Sequence, residues 1–445
     1  YNKMINTPVW KLITKLAIPT IISMLITSVY NMADTYFVSQ ISTEASAAVG
    51  IMFPVMNIIQ ACGFTLGMGS ASLVSRKLGE RKNKEASVIA STAFFTAFFA
   101  GLIITVFCLL FRSGLMRLIG ASETILPYAI DYGTFIFIGA PFMCASFVLN
   151  NVLRSEGKAT SSMIALTAGG ILNIFLDPVF IFKLNLGIRG AAIATIICQI
   201  ASFLILLSFF LCKKTICEIK VKNLFKSEPQ PENDSFIRES TGAVLWAVLC
   251  TGFPSFCRQG LSSFATILLN RAAGTYGNDA AIAGMAIVTR IVMFIASVMI
   301  GIGQGFSPVC GYNYGAKRYD RVRKAFMFTV ISSFLLLFTF SGIIWIVAPK
   351  LVAAFRDEQD VISVGVTALK FQLCLMPFHS IIISTNMLMQ STGHVKAATF
   401  LSCNRQGVFF IPVILALPPF IGILGVELTQ TIADLLSTFA AIPYI

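Results

Sequence analysis

Long apolar segments follow one another through almost the whole chain, and they restrict its fold more than any other feature. Of its 445 residues, 56% are hydrophobic and only 12% are charged. A transmembrane helix needs about 20 predominantly apolar residues, and about twelve such segments follow in order. No soluble domain could keep so much apolar surface out of water. We therefore predict an all-α integral membrane protein with twelve transmembrane helices, at about 12–38, 46–73, 86–111, 123–150, 160–183, 187–212, 241–270, 279–306, 323–348, 361–390, 394–419 and 422–445.

One polar stretch interrupts this pattern and divides the chain into two halves. Residues 213–240 are rich in charged residues and contain two prolines, which is typical of a linker. We predict an N-terminal lobe of six spans over residues 1–212, a cytoplasmic linker over 213–240, and a C-terminal lobe of six spans over 241–445. The first apolar stretch is long enough to span, so no cleavable signal peptide is expected.

The basic residues predict the orientation of the spans. The net charge is +13, but most Lys and Arg lie in short loops, so no nucleic-acid partner is needed to explain it. They concentrate before span one, after spans two, four and eight, and in the linker, which is typical of cytoplasmic loops. Both termini are therefore predicted to be cytoplasmic. The opposite side carries fewer basic residues: Arg112, Arg117, Lys183, Arg189, Arg271, Lys350 and Arg356.

The two halves repeat each other at a nearly constant offset of 234 to 236 residues. Six spans is an even number, so both copies begin on the same side and the repeat is parallel. Parallel repeats are typical of transporters with a substrate path between their halves. We predict two parallel six-helix lobes around a central cavity. Matching positions include Pro19 with Pro254, Gly67 and Gly69 with Gly303 and Gly305, Pro141 with Pro377, and Gly187 and Gly190 with Gly422 and Gly425.

Two acids lie inside apolar segments of the first half. Asp34 follows Tyr30 by four residues and Asp177 follows Asn173 by four, so each pair shares a helix face. A carboxylate within a span costs roughly 2.5–3.5 kcal/mol on insertion scales and normally faces a bundle interior or an aqueous cavity. The second half has no acid at the matching positions, near Leu269 and Ile411, so symmetric packing does not explain them. A purely structural partner for a nearby Arg or Asn is the simpler alternative.

The first half carries four motifs in order that together resemble the multidrug and toxic compound extrusion (MATE) family, most closely its bacterial branches. The motifs are Tyr-Asn-Met-Ala-Asp34-Thr in span one, Gly-x-Gly with a later Gly-Glu-Arg at the end of span two, Leu-Arg154-Ser-x-Gly157 after span four, and Leu-Asn173-Ile-Phe-Leu-Asp177-Pro in span five. The resemblance implies a monomeric twelve-helix antiporter in the bacterial inner membrane. It would export amphipathic, mainly cationic compounds in exchange for H⁺ or Na⁺.

The resemblance also implies roles for individual residues. Asp34, Asn173, Asp177 and Thr195 would form the cation-coupling cluster, with Tyr30 and Asn150 lining the adjacent cavity. Two carboxylates with an amide and hydroxyls suit a hard cation, so Na⁺ could be held at Asp34, Asn173 and Asp177. The same acids could instead share one proton. Pro19 removes a backbone hydrogen bond within span one and could act as a hinge or as a static kink.

The second half departs from those relatives that have acids in spans seven and ten. Its spans contain Arg258 with Gln259, Arg290 and Arg405, which we expect to form a basic interior balanced by Glu427 and Asp434. Internal salt bridges are the simpler interpretation of these arginines. The alternative is that they line the substrate cavity, with Arg258 or Arg405 contacting an anionic or polar group of the substrate.

Three other functions remain to be compared with drug extrusion. A flippase or exporter of a lipid-linked or anionic substrate would use a cavity with several arginines, and this is the nearest alternative. An enzyme would need a nucleophile, a base or a metal cluster, and two isolated histidines with scattered cysteines suggest none of these. No cofactor is expected beyond the coupling ion. A passive channel is less compatible with acids buried in a parallel repeat.

Overall fold

The protein is helical throughout the part of the chain that the computed structural model describes, residues 1–119, 121–225, 241–277, 279–355 and 358–445. Twelve long helical segments follow one another in these ranges, and a short helix, Asn2–Asn6, precedes them. The first nine are α1 (Val9–Ser39), α2 (Thr43–Gly79), α3 (Asn83–Leu110), α4 (Leu126–Ser155), α5 (Ala159–Pro178), α6 (Gly187–Leu211), α7 (Thr241–Tyr276), α8 (Asp279–Gly315) and α9 (Tyr319–Phe355).

The last three helices are less regular. In α10, a 3-10 turn at Met376–Phe378 joins Gln359–Leu375 to His379–Thr392, because Pro377 cannot donate the helical hydrogen bond. In α11, Val395–Cys403 continues through a π-helical turn, Asn404–Val408, into Phe410–Ala416. The final helix, α12, is Ile423–Ala441. Similarly, a π-helical turn at Val179–Lys183 follows α5.

The described chain has ten helices that are long and apolar enough to cross a membrane. The other two of the twelve, α7 and α12, carry several polar or charged residues, among them Arg258 and Gln259 in α7 and Glu427 and Asp434 in α12. The predicted all-α membrane fold is confirmed.

Several helices extend beyond their predicted spans. α2 continues past residue 73 to Gly79, and α8 continues past 306 to Gly315. The sequence pattern placed Arg76 and Lys77 in a loop, but cations are favourable in the last turn of a helix, where backbone carbonyls lack partners. Part of the predicted linker, 226–240, lies outside the described residues, as do the basic residues Lys226, Arg238 and Arg356. The predicted lobe boundaries stay a prediction.

The repeat is visible in the way the helices pack. We call α1–α6 the N lobe and α7–α12 the C lobe. Within the N lobe, α4 packs against α2, α3 and α6, and α5 packs against α1. The C lobe repeats these contacts, because α10 packs against α8, α9 and α12, and α11 packs against α7. The two lobes therefore share the same pattern of helix packing.

Close helix contacts join the lobes, and glycines make them possible. α1 packs on α8, and α2 packs on α7. A Cβ atom at Gly252 of α7 would overlap the carbonyl oxygen of Thr65, and one at Gly69 of α2 would overlap the carbonyl oxygen of Val248. At the repeat partner of Gly69, Gly305, a Cβ atom would lie 2.6 Å from the Cα atom of Ala17 on α1. A side chain at these positions would force the lobes apart.

Most hydrogen bonds between the lobes lie on one side of the bundle, where α1 and α7 begin and α2 and α8 end. We call it the basic side, because it carries the loops rich in Lys and Arg. Ser72 Oγ donates to the Gln390 carbonyl (2.7 Å), and Arg154 donates to Gln304 Oε1. Arg321 Nη2 donates to the Thr7 carbonyl at 2.6 Å. The lobes are thus closed together at the basic side.

Candidate cation-coupling site

The four residues predicted to couple a cation lie on three neighbouring helices of the N lobe. Asp34 is on α1, Asn173 and Asp177 are on α5, and Thr195 is on α6. α5 packs against both other helices. Asp34 and Thr195 line one cavity, and Asn173 is hydrogen-bonded to Asp177. The structure therefore brings the predicted cluster together.

Two adjacent glycines, which the sequence analysis did not single out, bring the three helices close together. A Cβ atom at Gly170 of α5 would lie 3.1 Å from side-chain atoms of Ile26 and Tyr30 on α1. One at Gly169 would overlap the hydroxyl of Ser202 on α6. The Gly-Gly pair one turn before Asn173 therefore lets α1 and α6 approach the helix that carries the amide and the second acid.

Each of the four residues has a buried oxygen that lacks a hydrogen-bond partner within the described chain. These atoms are Asp34 Oδ1, Asn173 Oδ1, Asp177 Oδ2 and Thr195 Oγ1. Within the cluster, Asn173 Nδ2 donates to Asp177 Oδ1 at 3.1 Å, which leaves the second carboxylate oxygen of Asp177 free. Buried polar groups are normally paired, and leaving one unpaired costs about 1–3 kcal/mol. An all-oxygen set with two carboxylates has the chemistry that a proton or a hard cation such as Na⁺ requires.

A small cavity of about 30 Å³ adjoins this cluster. Three of the predicted residues, Tyr30, Asp34 and Thr195, line it. Asn173 and Asp177 are almost fully buried behind its wall, with 2% and 0% of their surface exposed. An ion could therefore reach the cluster from the cavity through Asp34. Polar residues that the sequence analysis missed also line the cavity: Asn31, Gln60, Tyr132 and Gln199.

Asn150, which was expected in the cavity wall, lies elsewhere. It is 2% exposed, and its Oδ1 accepts a hydrogen bond from the Ser162 hydroxyl at the contact between α4 and α5. It is absent from the set of residues that line the cavity. The structure therefore gives Asn150 a helix-packing contact instead of a place in the cavity.

The candidate residues of the C lobe do not form one group. Arg405 Nε donates to Asp434 Oδ1 at 2.7 Å, so this arginine has the internal salt bridge that was the simpler expectation. Arg258 and Gln259 are half-buried and their side chains make no hydrogen bond or ion pair within the described chain, and Arg290 is exposed. Glu427 and Asp434 were expected to balance the charge of these arginines. Within the described chain, only Asp434 forms an ion pair with one of them.

Comparison with known proteins identifies the family. The model of the MatE family matches residues 19–179 and again 254–415, so its two matches begin at the repeated prolines Pro19 and Pro254. The multidrug export protein MepA of Staphylococcus aureus is 26% identical over 437 residues, which cover 98% of this chain and 93% of MepA.

Solved structures show the same fold. An outward-facing structure of a multidrug resistance MATE family transporter of the MOP superfamily has a TM-score of 0.91 and 26% identity, covering 99% of this chain and 96% of that one. A MOP superfamily transporter from Pyrococcus furiosus, described as having a binding pocket of reverse polarity, has the same TM-score, identity and coverage. The chain belongs to the MatE family, and it is a multi-pass membrane transporter of the twelve-helix MATE fold, not an enzyme.

Proposed function

We propose that the protein is an antiporter that exports amphipathic, mainly cationic compounds in exchange for H⁺ or Na⁺ entering the cell. The observation that carries this proposal is the set of four buried, unpaired oxygens on Asp34, Asn173, Asp177 and Thr195. A site of this kind is costly when empty and is stabilised when a cation neutralises it. Such an energy difference is what a transporter needs in order to link ion binding to a change of conformation.

The helix that carries Asp34 also connects the site to the interface between the lobes. The first half of α1 packs on α8, where Gly301 lies against Ile21 and Gly305 against Ala17. Pro19 lies between those two contacts and cannot donate a hydrogen bond to the Lys15 carbonyl. We infer that neutralising Asp34 changes the bend or position of α1 at Pro19. This movement would loosen the closed basic side and allow alternating access.

The side chains that line the cavity beside the site are of types that bind organic cations, and the cavity of about 30 Å³ would have to widen during the transport cycle to admit one. Tyr30 and Tyr132 contribute aromatic rings to its wall, and Met56 and Met143 contribute flexible apolar side chains. Aromatic faces attract cations, and methionine surfaces adapt to ligands of different shape. The relative MepA is named a multidrug export protein, which supports export of more than one compound.

A second candidate function is export of a lipid-linked or anionic substrate on the same fold. The observation that favours it is Arg258, which is half-buried and has no ion pair within the described chain. Export from reconstituted vesicles tests both candidates. A fluorescent organic cation and a fluorescent organic anion are each offered under an imposed pH gradient or Na⁺ gradient. We expect export of the cation, and export of the anion alone would favour the second candidate.

Replacing Thr195 with Val distinguishes Na⁺ from H⁺ as the coupling ion. Val has the same shape but lacks the hydroxyl, so the variant removes one oxygen from the cluster. A coordinated Na⁺ would lose a ligand, and the half-saturating Na⁺ concentration for transport should rise about tenfold, which corresponds to about 1.4 kcal/mol. Thr195→Ser, which keeps the hydroxyl, should behave like the wild type. Equal transport by both variants under a pH gradient alone would instead indicate proton coupling.

The native Cys212 tests the proposed location in the plasma membrane with both termini in the cytoplasm. This cysteine is exposed just after α6, on the basic side. In a Cys374→Ser background, which removes the second exposed cysteine, a membrane-impermeant maleimide should label Cys212 only after cells are permeabilised, and Cys212→Ser should greatly reduce the signal. Ser122→Cys, in the exposed loop before α4, should be labelled in intact cells. The reverse pattern would show that the basic side faces outward.

A further inference from the structure

The C lobe has a cluster of charged and polar side chains at the place that corresponds to the cation-site cavity of the N lobe. The repeat gives each cavity residue of α4 and α6 an equivalent position on α10 or α12. Three of these equivalent C-lobe residues are joined by hydrogen bonds. With Pro141 matching Pro377 and Gly190 matching Gly425, the pairs are Met143 with His379, Thr195 with Gln430, and Gln199 with Asp434.

The carboxylate of Asp434 is the centre of this cluster. It is 2% exposed and accepts hydrogen bonds on Oδ1 from Arg405 Nε at 2.7 Å and from Gln430 Nε2 at 2.8 Å. Its Oδ2 lies 2.7 Å from Nε2 of His379, which is itself 3% exposed. Both carboxylate oxygens therefore have partners, whereas one oxygen of each acid in the N-lobe cluster has none.

Two charged or titratable side chains act on Asp434 from the helices packed around it, Arg405 on α11 and His379 on α10. Six other charged groups lie on α7, α10, α11 and α12 but make no hydrogen bond or ion pair with Asp434 within the described chain. They are Arg258 and Arg271 on α7, Asp360 and Lys370 on α10, Lys396 on α11, and Glu427 on α12 itself. Arg405 is thus the permanent cation at this site.

We propose that Arg405 is a built-in counter-ion for Asp434, so that this carboxylate binds no exchangeable cation although it lies at the position that corresponds to the N-lobe site. This inference rests on the proposed ion coupling at Asp34 and Asp177. An Arg side chain keeps its charge throughout the physiological range and cannot leave the site. The same carboxylate without Arg405 would be a buried, uncompensated acid, which a proton or Na⁺ would neutralise.

The proposal predicts that removing Arg405 creates a second ion site. The background is the Asp34→Asn/Asp177→Asn protein, in which the N-lobe site is neutral. The thermal midpoint of unfolding is measured on purified protein over a 100-fold range of Na⁺ at fixed pH, and over pH at fixed Na⁺. The dependence of the background, which still contains the buried Glu427, is the baseline. Adding Arg405→Met should introduce a shift of about 3 °C or more over the range of one of these ions.

Three further variants keep the test informative. Arg405→Gln removes the charge but keeps a donor for Asp434, so it replaces Arg405→Met if that variant fails to fold. Arg405→Lys retains a cation and should stay insensitive to ions. Adding Asp434→Asn to Arg405→Met should remove the new dependence, which assigns it to this carboxylate.

Two results would overturn the inference. One is an unchanged midpoint in both Arg405→Met and Arg405→Gln across both titrations. The other is an ion dependence already present in the background and lost on Asp434→Asn, because the C lobe would then bind an exchangeable ion despite Arg405. Failure of the proposed function looks different: the wild type would itself show no ion dependence, while the Arg405 variants would still report on Asp434.

Discussion

Replacing Asp34 or Asp177 with Asn is expected to abolish gradient-driven export of an organic cation from reconstituted vesicles. Asn keeps the size of the side chain but cannot change its charge when a cation binds. The imposed ion gradient then has no titratable or cation-binding group through which to drive transport. Uphill export should therefore fall at least about 100-fold, which corresponds to a loss of about 2.7 kcal/mol of coupling free energy. Uptake of a fluorescent cation into inside-out vesicles measures this directly.

Asp131→Asn is the matched control for these variants. Asp131 is an acid of the same lobe, but it lies at the surface, where Arg189 Nη2 contacts its Oδ1 at 2.9 Å. Surface pairs of this kind contribute about 0–1 kcal/mol, so transport by this variant should stay close to that of the wild type. Transport at the wild-type rate by Asp34→Asn and Asp177→Asn would mean that the acids have a structural role only.

Replacing Gly252 with Val is expected to block the transport cycle by preventing closure of the basic side. Any Cβ atom at this position would overlap the carbonyl oxygen of Thr65, a backbone atom that cannot rotate away. Overpacking of a tight contact costs about 1–3 kcal/mol, which would reduce the closed population about 5- to 150-fold. Export should fall in proportion, while membrane insertion should be unaffected.

Cys310 reports whether this loss has the proposed cause. It is fully buried beside the contact of α8 with α2. Both proteins carry Cys212→Ser, because the exposed Cys212 on the same side would otherwise be labelled in each. When the basic side opens, a maleimide added from that side should reach Cys310, so Gly252→Val should be labelled faster than the protein with Gly252. Gly260→Val on the same helix is the control, because a Cβ atom there meets nothing within 4 Å. Slow labelling of Cys310 in a transport-deficient Gly252→Val protein would contradict the explanation.

Much of the fold and part of the site could be predicted from the sequence, because both depend on patterns within single helices. Hydropathy predicted the membrane spans, and the repeat predicted that the two halves share one plan. The spacing of four residues between Asn173 and Asp177 predicted that they share a helix face, and in the structure a hydrogen bond joins them. The acids could be recognised as candidate site residues because an acid inside a membrane span has few environments available to it.

The sequence was less informative about contacts between helices that are distant in the chain. The sequence does not show whether the side chain of Asn150 faces a cavity or a neighbouring hydroxyl group. Only the packing of α4 on α5 brings Ser162 to it. Arg405 had two candidate acids on α12, and the rotation of that helix presents Asp434 instead of Glu427. The glycine pair Gly169 and Gly170 was a readable signal of close helix approach near the site, and it was overlooked.

Direct ion binding to the purified protein is the measurement that tests the central claim, that the N-lobe cluster holds the coupling ion. Radioactive Na⁺ binding is counted at equilibrium, and proton release on addition of an organic cation is followed with a pH indicator. We predict one ion per protein in one of these experiments for the wild type, and none in either for Asp34→Asn/Asp177→Asn. Ion binding that is equal in the wild type and the double variant would contradict the account, as would a wild type that binds neither ion.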